Sequence, residues 1–125
     1  MCTELITTGV QKIRATYENN EIVFEIDFDH PEAKKTIKEM SRYWVGSPDE
    51  DAPIEHHLEF WLQIAGSTSY RIYCERLRFS DTYLSVADGF CDMDGRFGIK
   101  IISWNYFMPE PEDFEVSMVD IDYNV

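Results

Sequence analysis

Positive charge is scarce in this 125-residue chain: 11 Lys and Arg stand against 24 Asp and Glu, a formal net charge of -13. That deficit argues against binding to nucleic acid or anionic membrane, where clustered Lys and Arg must meet phosphate. Cysteine is also sparse. Cys2, Cys74 and Cys91 cannot all pair and show no CxxC spacing, which speaks against a disulfide framework or a zinc ribbon and for free thiols in a reducing cytoplasm. No run approaches the 18 apolar residues or so that a membrane helix needs. The N-terminus shows neither a basic nor an apolar leader segment, so no signal peptide is predicted. GxSxG, P-loop and GxGxxG motifs are missing. Low-complexity linkers and internal repeats are missing as well.

What is there suffices for a packed core. The chain is 44% hydrophobic and 14% aromatic, too rich for disorder despite its charge. The length predicts one domain over residues 1–125 that needs no metal or disulfide for stability.

The hydrophobic periods predict an α+β fold. Ile13, Ala15 and Tyr17 alternate with Lys12, Arg14 and Thr16; Ile22, Phe24, Ile26 and Phe28 alternate with Glu21, Val23, Glu25 and Asp27. A turn at Asn19-Asn20 makes these a hairpin, opposing Tyr17 to Ile22, Ala15 to Phe24, Ile13 to Ile26, Arg14 to Glu25 and Lys12 to Asp27. A helix capped by Asp29 or His30, with Pro31 in its first turn, should bury Ala33, Ile37, Met40 and Trp44. A second helix from Pro53 should bury Ile54, Leu58, Trp61, Leu62 and Ala65. Gly66-Ser67-Thr68-Ser69 is poor helix material, which predicts a kink or two consecutive helices. Residues 83–86 read as a short strand or a helical turn. Gly98–Tyr106 reads as a strand apolar on both faces, with Ile99 and Ile101 on one and Ile102, Trp104 and Tyr106 on the other. Such a strand is central or bulged. Phe114, Val116 and Met118 alternate with Asp113, Glu115 and Ser117 in a last strand. The order strand-strand-helix-helix-strand-strand predicts an antiparallel sheet of about four strands with helices on one face.

Two stretches carry a resemblance: EIVFEIDFDHPEAKKTIKEMSRYWVG at 21–46, and DGRFGIKIIS at 94–103 followed by an acidic strand with Asp113-Phe114-Glu115. Together they resemble a domain-of-unknown-function family of small proteins from bacterial plasmids, prophages and integrative elements, over roughly residues 20–119. The resemblance implies a role in conflict between mobile elements and their hosts. It implies no activity and no catalytic residue.

Candidate chemistry is thin. His56-His57 with Glu55 and Glu59 lacks the spacing of a zinc protease helix, since no two histidines stand one turn apart with Glu between. A solvated helix face fits those residues. Asp88, Asp92, Asp94 and Gly95 suggest a calcium loop, but its first and twelfth positions would be Phe90 and Ile101, neither a carboxylate. Acids beside Cys74 and Cys91 work against thiol activation. No catalytic, cofactor-binding or metal site is assigned, and no cofactor is expected.

The acid excess is uneven. Residues 81–125 hold ten acids and only Arg96 and Lys100 as bases. The leading expectation is a cytoplasmic, non-enzymatic interaction module. It would be a mobile-element or phage inhibitor that blocks a basic nucleic-acid-binding surface of a host defence complex of CRISPR or restriction type. Its partner-binding residues would be Glu110, Glu112, Asp113, Glu115, Asp120 and Asp122, with Trp104 and Tyr106 as aromatic anchors. No direct nucleic-acid or membrane contact is expected. The alternative is a small-ligand-binding protein or enzyme whose pocket between helices and sheet is lined by Trp61, Tyr70, Tyr73 and Cys74. A third reading is a dimer through the aromatic sheet face. Arg71, Arg76 and Arg78 form the one modest basic cluster, suited to an acidic partner or to internal ion pairs.

Overall fold

The computed structural model of the chain describes residues 5–106 and residue 118. Period-2 alternation produces the hairpin of β1 (Val10–Tyr17) and β2 (Asn20–Asp27). Its register differs from expectation by two residues. Tyr17 pairs with Asn20, Ala15 with Ile22 and Ile13 with Phe24, so the turn is Glu18-Asn19. The expected register would have set Glu18 directly opposite Glu21, two like charges across a strand pair. The observed one places Thr16 there and gives Arg14 an ion pair with Glu21 at 3.3 Å. Lys12 faces Glu25 in place of Asp27, and Arg14 faces Val23. A shift of two preserves the side-chain parity, so the apolar faces are as expected.

β3 (Ile99–Asn105) pairs antiparallel with β2, giving the sheet order β1-β2-β3. β3 is therefore not central among the described strands; its double apolar character comes from a bulge. Phe24 pairs with Ile101 but Val23 with Ser103, which leaves Ile102 as the extra residue. Beyond the bulge the parity flips. Trp104 then lies opposite Ile22 and shares the core face with it, contrary to the expected face with Ile102. The last expected strand, 114–118, lies outside the described residues except for Met118, which is 95% exposed and in no strand.

α1 (Ala33–Arg42) begins after Pro31 rather than at it. Neither Asp29 nor His30 caps it as expected; the His30 Nδ1 instead accepts from the Glu32 N–H at 3.0 Å. α2 (Ile54–Arg76) is one continuous helix of 23 residues, so of the kinked helix or two consecutive helices expected from residues 66–69, the chain does not form two. Those small residues are where the helix meets the sheet. A Cβ on Gly66 would lie 3.3 Å from the Ala15 Cβ, so glycine permits the close crossing over β1. Thr68 and Ser69 are buried. The Ser67 and Ser69 hydroxyls donate to the carbonyls of Ile64 and Gly66, satisfying themselves within the helix. Contact with the sheet outweighs the low propensity of the run. Leu77 in the left-handed region ends the helix, its N–H donating to the Tyr73 carbonyl.

Residues 81–85 form the short helix α3 (Asp81–Ser85), capped by Ser80. The helices cover one sheet face. Trp61 packs on Phe24 with ring centroids 5.2 Å apart, and Ile22, Ile26, Ile37, Leu58, Leu84, Met93 and Ile99 complete the centre of the core. No helix among the described residues is long and apolar enough to cross a membrane.

Candidate functional site

Between β1 and α2 the core opens into a groove of about 980 Å³. That volume is at the upper end of what a small ligand occupies. Its strand wall is the unbroken run Ile13–Tyr17. Its helix wall comprises two neighbouring i,i+4 rows: Glu59, Gln63, Ser67, Arg71 and, beside it, Leu62, Gly66, Tyr70, Cys74. The floor is apolar (Ile13, Ala15, Ile22, Leu62) and the rim polar. Both rows were visible at helical spacing, but the reading of Gly66–Ser69 as a breaker cut them in two.

Aromatic rings close one end. Tyr70 contacts Tyr17 at 5.8 Å and Tyr106 at 5.6 Å and stacks on Tyr73 at 6.4 Å. Tyr106 also meets Phe79 at 5.7 Å, and its hydroxyl shares a hydrogen bond with the buried Ser69. Burial pushes the Tyr106 hydroxyl up to about 12, opposed by the Ser69 hydrogen bond. A hydrogen bond with Cys74 raises the Tyr70 hydroxyl, and burial adds to it. Both phenols are therefore neutral at neutral pH and unsuited to acting as bases; because the Ser69 hydroxyl donates to the Gly66 carbonyl, Tyr106 donates its proton to Ser69, and Tyr70 donates its own to Cys74.

The residues expected at a pocket divide. Tyr70 and Cys74 line the groove. Tyr73 stands behind in the ring cluster, and Trp61 is fully buried core. Of the expected partner-binding residues, Trp104 packs edge-on against Phe79 at 5.3 Å and remains 38% exposed. Tyr106 belongs to the groove. The bulge thus brings both rings to the helix-covered side instead of an open sheet face. Glu110, Glu112, Asp113, Glu115, Asp120 and Asp122 lie outside the described residues. The arginine cluster is divided too: Arg76 and Arg78 lie over the Tyr83 ring at 5.2 and 5.9 Å, whereas Arg71 faces the groove.

The histidine pair divides: His56 is exposed, as expected of a solvated face, but His57 is not. His57 is fully buried, its Nδ1 2.8 Å from the buried Ser41 hydroxyl and its Nε2 3.0 Å from the Asp49 carbonyl. A carbonyl can only accept, so Nε2 donates and Nδ1 accepts from Ser41. His57 thereby ties α1, the α1–α2 loop and α2 together, and Arg42 adds a bond to the Pro48 carbonyl at 2.8 Å. The acidic tripeptide Asp49-Glu50-Asp51 is exposed on this anchored loop. The calcium-like stretch is a turn closed by Arg96, which bridges Asp92 at 3.1 Å and Asp94 at 3.4 Å. Among the described residues no group of three His, Cys, Asp or Glu could hold a metal ion. Burial pushes the Cys91 thiol up to about 11, leaving it a poor nucleophile.

No family model, curated protein or solved structure matches the chain.

Proposed function

We propose that this protein is a non-enzymatic interaction module whose acid excess engages a basic surface of a partner protein. The observation that carries the reading is the net charge of -13. Ion pairs among the described residues engage Glu21, Asp92 and Asp94. Asp49, Glu50 and Asp51 are exposed and make no ion pair among the described residues, on a loop whose backbone Arg42 and His57 anchor. Carboxylates held in place lose little freedom on binding, which favours complementary contact. The Glu110–Asp122 acids add to this charge. The resemblance to mobile-element proteins supports a partner in a host defence complex of CRISPR or restriction type, at its nucleic-acid groove.

The test is capture of partners from host lysate at low and at high salt, followed by titration of the captured protein. Binding should weaken steeply with salt. It should also weaken when Asp49, Glu50 and Asp51, or Asp113, Glu115 and Asp120, become amides. Affinity indifferent to both salt and amidation would refute the reading.

The groove favours a second reading, a binding site for a ligand seated between β1 and α2. Its volume and the apolar floor support it.

A further inference from the structure

Leu77 closes α2 in the left-handed region, with φ 59° and ψ 23°. Glycine or asparagine takes that position at little cost, whereas a leucine there is strained. Burial does not offset the strain, because Leu77 is 68% exposed. The reversal also redirects its neighbours. In a continuing helix, residues two apart do not face each other. The turn at Leu77 instead brings Arg76 and Arg78 over one ring, Tyr83 of α3, at 5.2 and 5.9 Å.

Both arginines are exposed. Glu75 and Asp81 flank them in the chain, yet neither arginine makes an ion pair among the described residues. Of the two roles open to this basic cluster, internal ion pairs and an acidic partner, the second is the one these two side chains suit. Positive charge at a helix C-terminus is favourable in itself, but that accounts for neither the strain nor the exposure of Leu77. The aromatic surface continues beyond Tyr83, which meets Phe79 edge-on at 6.4 Å; Phe79 in turn meets the partly exposed Trp104 at 5.3 Å. Arg, Tyr and Trp are the residue types that dominate binding energy at protein interfaces. The Tyr83 ring already holds the guanidiniums, so they lose little freedom on binding.

We infer that Arg76, Leu77, Arg78 and Tyr83, with Trp104 at the margin, form a docking surface for an acidic segment of a partner protein. Its carboxylates would meet the two arginines and an apolar side chain would cover Leu77. Nucleic acid is the poorer occupant, since two arginines offer few phosphate contacts and a net charge of -13 repels a polyanion. A short segment carries few charges, and salt screens those of the protein beyond about 8 Å under physiological conditions. The surface is opposite in sign to the acids of the proposed function, so the two stand or fall separately.

The experiment is NMR on the full chain at physiological salt with three synthetic pentapeptides: four glutamates around a central leucine, four lysines around a central leucine, and four glutamates around a central glycine. The first should shift the amides of Leu77 and Tyr83 and the indole N–H of Trp104. It should bind at least about tenfold tighter than the lysine peptide, a difference of about 1.4 kcal/mol, and severalfold tighter than the glycine one. R76Q/R78Q should abolish the preference for glutamate. Leu77→Gly should raise the urea midpoint by relieving the strain and at the same time weaken the first peptide, a pairing that a merely structural leucine would not give. Equal binding of the glutamate and lysine peptides, shifts unchanged in R76Q/R78Q, or a lower urea midpoint in Leu77→Gly would overturn the inference. So would tighter binding of a short oligothymidylate, which would assign the surface to nucleic acid, or shifts at Leu77 and Tyr83 on concentrating the protein alone, which would assign it to a second copy.

Discussion

Cutting the Ser41–His57 bond should destabilise the fold by more than its own strength, because both partners are fully buried. Ser41→Ala leaves the His57 Nδ1 as a buried acceptor without a donor, at a cost of about 1–3 kcal/mol. His57→Leu keeps much of the side-chain volume but strands the Ser41 hydroxyl, at a similar cost of about 1–3 kcal/mol. It also frees the Asp49 carbonyl, which sits in an exposed loop and can turn to water. The double variant S41A/H57L replaces both groups of the buried bond by apolar ones, so nothing is left stranded in the core. Its destabilisation should fall short of the sum of the singles by roughly 1–2 kcal/mol. Urea unfolding of the four proteins at neutral pH, with a common m value, measures this directly. Additivity within about 0.5 kcal/mol would show that the two side chains do not interact and would refute the assignment of His57 as the tie between the helices. The same variants bear on the proposed function. Faster amide exchange at Asp49–Asp51 in H57L should accompany weaker partner binding with every carboxylate still in place.

Gly89 combines a φ of +86° with a site where a Cβ would stand 2.6 Å from the Tyr43 ring and 2.9 Å from Trp44. Gly89→Ala should therefore cost about 3 kcal/mol or more and lower Tm by roughly 10 °C, whereas Gly9→Ala should cost only about 1 kcal/mol. Gly9 has a φ of +66° but nothing within 4 Å of a Cβ. Calorimetry on the two variants compares strain with and without collision, and equal losses would contradict the packing of Tyr43 and Trp44 on this loop. The Cys91 thiol, moved by burial from 9.0 to about 11, makes stability fall on the alkaline side. Below its ordinary value both states hold the proton and the contribution is complete. Between that value and 11 the unfolded chain ionises first, so stability is lost as pH rises. The loss should be roughly 1–2 kcal/mol after allowing for partial solvent access, and Cys91→Ala should remove it from urea midpoints followed across that range.

Much of the fold was legible because the signals are local. Period-2 alternation marked both hairpin strands, and Ala33, Ile37 and Met40, then Leu58, Trp61, Leu62 and Ala65, marked the buried helix stripes. The turn was misplaced by two residues because either register keeps the apolar faces intact; the Glu18–Glu21 repulsion that discriminates between them is a cross-strand term. The run 66–69 reads as a helix breaker until Ala15 is known to lie beneath it. Of the groove, Tyr70 and Cys74 were legible as pocket candidates, but the strand wall was not, since no local pattern says which strand a helix will cross.

The sequence by itself determined the acid excess, the hairpin, the two long helices and the alternation that separates core from surface, because each depends on residues a few positions apart. Only the tertiary structure decided that His57 is a buried tie, that the Ile102 bulge turns Trp104 onto the core face, and that β1 and α2 wall a groove. Those outcomes depend on contacts between residues far apart in the chain, where packing and hydrogen-bond geometry override local preference.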